Sequence, residues 1–213
     1  MGKLRNGILD GFTGKVGTVV GSFWKGIPTM RAYNAFPKVG DSPAQLEQRA
    51  KMSVIGKFLS PLTPFLRIGF AEKANKMSGH NAATSYNAKN AITGTYPDYD
   101  VDFTKVLVSQ GNLPSALNPE VTATVAGEIG YTWEDNSGDA NASPTDKAML
   151  VVYNPAKKRA VNVIDGNTRA GGSQSITLPA NFTGDEVQCF IAFKSATTQK
   201  VSNSEFVGGI IVL

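Results

Sequence analysis

The chain holds one histidine, His80, and one cysteine, Cys189, so the residue types that do most chemistry are nearly absent. A Ser-His-Asp triad would have to be built around His80. No G-x-S-x-G elbow accompanies it, and Ser78-Gly79-His80-Asn81 reads as a loop or helix start. A zinc site needs several thiolate or imidazole ligands, which one Cys and one His cannot supply. Cys189 lies in the apolar run Cys189-Phe190-Ile191-Ala192-Phe193, which predicts a buried, inert thiol. Gly11-Phe12-Thr13-Gly14-Lys15-Val16 faintly resembles a phosphate loop. Its spacing before Gly-Lys is too short, and Val16 stands where a Ser or Thr would hold magnesium. Asp98, Asp100 and Asp102 alternate, so a strand would place three carboxylates on one side. Without a surrounding loop of oxygen ligands, that pattern reads as a solvated strand edge rather than a calcium site. The stretch Asp135–Asp146 is richer in oxygens. It departs from the EF-hand pattern, with Ala140 where glycine is required and Asp146 where glutamate is, and reads as a mobile polar hairpin loop. The sequence therefore predicts no catalytic residue, no cofactor and no metal, and a protein that is not an enzyme.

Binding chemistry is better represented. Lys15, Lys25, Arg31 and Lys38 interleave with Phe23, Trp24, Tyr33 and Phe36, the mixture of charge and stacking used by non-specific single-strand binders. The apolar set Phe12, Val16, Val19, Phe23, Trp24 and Ile27 serves equally as interface anchors, and the interface reading leads. The net charge of +4 is divided unevenly. Residues 1–90 hold thirteen Lys and Arg against four Asp and Glu, a balance of +9; residues 91–213 hold eight against thirteen, a balance of −5. That division implies an anionic partner for the first half or complementary contacts between subunits. Lys157-Lys158-Arg159 reads as a solvated hairpin tip.

The elements that must position these residues change along the chain. Glycines at 2, 7, 11, 14, 17, 21 and 26 weaken any helix near the start and suit an extended arm or hairpin whose apolar residues need a partner surface. Ser42, Pro43 and Gln45 form a helix start with a capping box. Leu46, Ala50, Val54, Phe58 and Leu62 then recur every four residues, with Ile55 and Leu59 beside them, predicting a helix over 42–60. A second helical stretch covers roughly 64–92 with an interruption near Ser78-Gly79. From about residue 99 the period becomes two, predicting a strand that ends near Ser109. Seven more strands follow: 121–125, 128–134, 147–153, 159–164, 174–178, 187–194 and 205–212, separated by turn clusters. Ile129, Tyr131 and Trp133 share one face of the second, which puts a tryptophan in the core as in fibronectin type III domains. No tyrosine follows Leu178-Pro179 to make a tyrosine corner. The expected fold is α+β, mainly β: an immunoglobulin- or fibronectin-like sandwich over 96–213, preceded by a glycine-rich basic arm or hairpin over 1–40 and a helical segment over 41–95.

The run Lys3–Gly17, together with Trp24-Lys25-Gly26, Asn90-Ala91-Ile92-Thr93-Gly94 and Val201-Ser202-Asn203-Ser204, resembles an uncharacterised Bacteroidota family, a domain of unknown function, over essentially the whole chain. The resemblance implies no activity. Ser42–Ala50 is similar to a segment of phage virion and tail-associated proteins, in which a Thr/Ser-Pro-x-Gln helix precedes immunoglobulin-like modules. The expected function is a non-enzymatic structural protein that self-assembles as a homo-oligomer, a virion-like or filament component in which the arm is the intersubunit contact, with other assembly proteins as further partners. The alternatives are a nucleic-acid-binding module using the basic half, and a carbohydrate- or surface-binding sandwich using the 135–146 loop. No window of about 20 apolar residues and no signal-like segment occur, so the sequence predicts a protein without membrane spans, cytoplasmic or incorporated into a particle or filament.

Overall fold

Ser42 accepts a hydrogen bond from the Gln45 N–H while the Gln45 side chain accepts one from the Ser42 N–H, and this reciprocal cap starts helix α1, Pro43–Leu59. A computed structural model describes residues 2–4, 11–36, 40–139 and 141–213. Among them the chain is mainly β, built from antiparallel sheets. It divides into two units, Met1–Leu46 and Glu47–Leu213.

The second unit has three layers. Its central layer is the sheet β10-β9-β12-β13, formed by Lys147–Asn154 (β9), Arg159–Val163 (β10), Glu186–Lys194 (β12) and Glu205–Ile211 (β13). A three-stranded sheet, β11-β8-β7, covers one face: Leu117–Thr122 (β7), Glu128–Glu134 (β8) and Ser173–Thr177 (β11). Between the two sheets lie Ile129, Tyr131 and Trp133 with Leu150, Val152, Ile176, Cys189, Ile191 and Phe193, all buried. Trp133 meets Phe193 edge to face at 5.7 Å. This is an immunoglobulin- or fibronectin-like β-sandwich. Phe182, buried in a short turn after Leu178-Pro179, fills the core where the tyrosine is missing.

Helices cover the other face. β9 and β12 are apolar on both sides, so their alternate residues Met149, Val151, Tyr153, Phe190 and Ala192 need a second cover. It comes from Ile55, Phe58 and Leu59 of α1, Phe65 and Leu66 of α2 (Thr63–Gly69), and Ala83 of α3 (Gly79–Asn90). The expected apolar stripe is only half used: Leu46 is exposed, and burial in α1 begins at Ile55. Ser78 caps α3 by accepting from the Asn81 N–H, which accounts for the interruption read at Ser78-Gly79.

Two expectations are corrected. The strand expected to end near Ser109 is instead a short hairpin, Ile92–Thr95 (β5) with Asp98–Val101 (β6), followed by a single 3-10 turn over Phe103–Lys105. Asp102 ends the pairing by accepting from the Thr104 N–H and hydroxyl and pairing with Lys105. Beyond the turn, residues 106–113 run as a strap with its polar groups bound by side chains. Asn87 accepts from the Leu107 N–H and donates to its carbonyl, and Ser204 accepts from Val108 and Ser109. The strand expected over 121–125 begins earlier, at Leu117, because it pairs with β8 through a bulge between Leu117 and Glu120. The start of the chain, expected as an extended arm or hairpin, is a run of consecutive hairpins. Lys3–Leu4 (β1), Phe12–Val16 (β2), Val19–Trp24 (β3) and Ile27–Ala32 (β4) form one antiparallel sheet in sequential order.

Candidate functional site

The N-terminal sheet takes its form from its turns and its glycines. Lys25 and Gly26, with φ of 47° and 79°, make the two-residue turn that joins β3 to β4, a conformation that suits glycine at its second position. Gly21 is the single buried residue among 11–36. A Cβ there would strike the Phe12 carbonyl and stand 2.7 Å from its ring carbons, so β2 crosses at that point because the side chain is missing.

Pairing assigns the faces. The rows Gly14, Gly21, Met30 and Val16, Val19, Ala32, with the pair Phe23 and Pro28, lie on one side. Phe12, whose ring lies over Gly21, joins them. This face carries no charge. The rows Lys15, Val20, Arg31; Ser22, Thr29; and Trp24, Ile27 lie on the other. Here the Lys15 ammonium sits 3.4 Å from the centre of the Tyr33 ring, and the Ser22 and Thr29 hydroxyls bond at 2.7 Å. The apolar candidates are thus divided: Phe12, Val16, Val19 and Phe23 are on the uncharged face, Trp24 and Ile27 on the other with Lys15 and Arg31. Lys25 is in the turn, and Lys38 lies outside the described residues. Val16, Trp24, Ile27, Met30, Tyr33 and Phe36 are six of the fourteen large apolar side chains exposed among the described residues. Residues 11–36 contain three cations and no carboxylate. Sequence spacing showed this surface, but not its division into faces, nor Tyr33 as a partner of Lys15.

The remaining candidates lie apart from it. His80 is in the first turn of α3 with Thr84, whose hydroxyl donates to the His80 carbonyl. Cys189 is buried beside Tyr131, and burial pushes its thiol up to about 11. Asp98 and Asp100 are exposed on β6, and among the described residues no three His, Cys, Asp or Glu side chains gather as a metal-binding group. The 135–146 loop, expected to be mobile, is tied to Arg169. This fully buried guanidinium reaches Asp146 at 3.3 Å, Asn136 at 2.5 Å, and the Ser115 and Pro114 carbonyls at 3.3 and 3.0 Å. It lies 3.9 Å from the Phe193 ring centre, and its own carbonyl accepts from the Trp133 indole. Sequence reasoning passed over Arg169 because one arginine in a glycine-rich turn looks like a solvated charge. Lys157 at its hairpin tip pairs with Asp185, which also accepts from Asn154; these bonds hold the Asp185 carboxyl below its usual range.

A cavity of about 470 Å³ opens between α1, α3 and the β5–β6 hairpin, lined by Glu47, Lys51, Lys89, Tyr96 and Tyr99 among others. Glu47 accepts from Lys51 at 2.6 Å and from the Tyr99 hydroxyl at 2.8 Å, and both bonds lower its pKa. The network satisfies the carboxylate locally and ties the hairpin to α1.

The second unit is therefore a β-sandwich with a helical cover, and the largest collection of exposed apolar and cationic groups belongs to the N-terminal sheet. The chain belongs to the family of unknown function DUF6266, whose model matches residues 11–208. No curated protein matches the sequence. Of solved structures, the solution structure of the fn3 domain of human collagen alpha-1(XX) chain is similar at 13% identity, over 49% of this chain and 88% of that one, with a TM-score of 0.33. A likeness at that score carries no argument about role. Among the described residues no helix is long and apolar enough to cross a membrane.

Proposed function

We propose that this protein is a non-enzymatic structural protein that assembles with copies of itself through the uncharged face of its N-terminal sheet, as a component of a virion-like particle or filament. One observation carries the reading: among the described residues the sheet of residues 11–36 buries only Gly21, and its uncharged face leaves Val16 and Met30 exposed beside the half-buried Phe12, Val19 and Phe23. A core requires a second layer over the first. A second copy suits the uncharged face because identical faces can close on each other without burying a charge. The opposite face would bury Lys15 and Arg31 against their own equivalents, at a cost of several kcal/mol per unpaired ion. Edge pairing through β4 is less suited. The Tyr33 N–H bond to the Thr18 carbonyl sets the register, so Pro28, Met30 and Ala32 turn their main-chain groups to the free edge. Pro28 has no N–H to offer there.

Size-exclusion chromatography with light scattering tests this. The expected result is concentration-dependent association, weakened about 10,000-fold or more by Met30→Glu with Val16→Glu, since each of the two buried unpaired carboxylates costs about 3 kcal/mol or more. A wild-type protein that stays monomeric at the highest attainable concentration overturns the proposal.

A further inference from the structure

We infer that the cationic face of the N-terminal sheet binds single-stranded nucleic acid. Lys15 and Arg31 flank Val20 in one row across three strands, so their backbones are about 10 Å apart. Trp24 lies four residues along β3 from Val20, about 13 Å away on the same face. Tyr33 extends the Arg31 end of the surface and holds the Lys15 ammonium over its ring. Trp24 and Tyr33 are about half exposed, at 54% and 46%. A sheet face presenting two cations beside the exposed Trp24 ring, with only hydroxyls and aliphatic groups between them, offers phosphates a charge and bases a stacking platform at Trp24, while Tyr33 holds the Lys15 ammonium in place. No carboxylate occurs in residues 11–36 to compete for the cations. Among the described residues base edges find no set of convergent side-chain amides on this face, so the recognition is independent of sequence. A duplex fits less well, because its bases are already stacked and cannot reach Trp24. The surface is on the side of the sheet away from the uncharged face, so this inference does not depend on self-assembly.

The chain has two tryptophans, and Trp133 is buried in the sandwich core while Trp24 is half exposed. In a Trp133→Phe full-length protein, indole fluorescence therefore reports Trp24 alone. Titration with oligothymidylate of about 15 nucleotides at ~50 mM salt should quench it, since a base stacks on the ring. The slope of log affinity against log salt should be about −1.4 to −2, the value for two or three phosphates neutralised on a single strand. Fluorescence anisotropy of a labelled oligonucleotide should show Trp24→Ala weakening binding by about 5- to 150-fold, the equivalent of one lost stack. Lys15→Gln with Arg31→Gln should weaken it and flatten the salt slope, with circular dichroism checking the sheet. Running the same titration on the Met30→Glu, Val16→Glu protein separates this inference from the assembly proposal. The inference is overturned by absence of binding at ~50 mM salt, where electrostatic contacts are strong. It is also overturned by binding without quenching that poly-glutamate matches, which assigns the face to an acidic protein surface. Trp24 quenching that follows protein concentration alone assigns the face to another copy and likewise overturns it.

Discussion

Arg169→Ala should be among the most damaging single changes in the sandwich. The arginine is fully buried, and Asp146 is 1% exposed. Removing the guanidinium leaves the Asp146 carboxylate with the Ser143 N–H, the Pro114 carbonyl without its donor, and a void beside the Phe193 ring. Breaking a buried pair from one side costs about 3–5 kcal/mol, and the retained Ser143 bond places this case near about 3. The readout is urea unfolding followed by Trp133, in a Trp24→Phe background, because the Trp133 indole donates to the Arg169 carbonyl. With a slope of about 1–3 kcal/mol/M, the midpoint should fall by roughly 1–3 M. The double change Arg169→Met with Asp146→Asn removes both charges and keeps the volume. It should be less damaging than Arg169→Ala alone, because a buried pair replaced as a pair leaves no orphan ion. The single change should also expose the 135–146 loop to protease, since Asn136 and Asp146 lose their shared anchor. A loss under about 1 kcal/mol, or a double variant no better than the single one, would refute the view that this arginine organises the end of the sandwich.

Two further changes test other parts of the fold. Burial raises the Glu205 carboxyl above its usual range, with a hydrogen bond involving Ser115 opposing the shift. Its contribution to stability is therefore full below the unfolded pKa of about 4.3 and is lost as pH rises through the folded value. Glu205→Gln should match the wild type near pH 4 and exceed it by a few tenths of a kcal/mol near pH 7, the modest size reflecting solvent screening at a partly exposed site; an equal gap at both pH values would contradict this. Gly21→Ala should loosen the N-terminal sheet by about 1–3 kcal/mol, because the new methyl strikes Phe12 backbone that cannot move aside like a side-chain tip. Hydrogen exchange over residues 12–32 should rise while exchange in β9 and β12 stays unchanged, and protection retained in both would contradict the close approach at Gly21.

The strands of the sandwich were legible because their side chains alternate between core and solvent. β8 occupies 128–134 as its Ile129, Tyr131, Trp133 alternation required, and, β7 apart, the turn clusters marked the other strand ends of the sandwich within a residue. The continuous runs Ala148–Val152 and Cys189–Phe193 carried a further signal that went unread. A strand apolar at every position must be covered on both faces, and here the helices of 43–90 supply the second cover. The strap of 106–113 was illegible because it satisfies its backbone through groups distant in sequence, side chains of Asn87, Asn203 and Ser204 and the Gly69 and Val201 carbonyls. Asn87, Ser202, Asn203 and Ser204 are its partners, and the Ser109 hydroxyl reaches the carbonyls of Gly69 and Ser202. The run Val201-Ser202-Asn203-Ser204 thus marks a structural joint between the strap, the turn after α2 and β12, with Glu72 accepting from the Val201 N–H and Ser202 from the Phe193 N–H.

The surface of the N-terminal sheet was legible as a composition but not as a geometry. Spacing alone grouped Trp24 and Ile27 with Phe12 and Val16 as one apolar set. The register of β3 separates them, because neighbouring residues on a strand point to opposite sides and Phe23 and Trp24 cannot share a face. The same register puts Lys15 and Arg31 on the side of Trp24, so charge and large aromatic surface coincide on one face while the other remains uncharged. The contrast with the second unit follows from burial. That unit encloses two cores, and every buried side-chain nitrogen and oxygen among the described residues has a partner. The sheet of residues 11–36 encloses almost nothing, yet its turn and glycine contacts specify one register. A sequence that fixes the register of a sheet without giving it a core has specified two chemically different surfaces back to back.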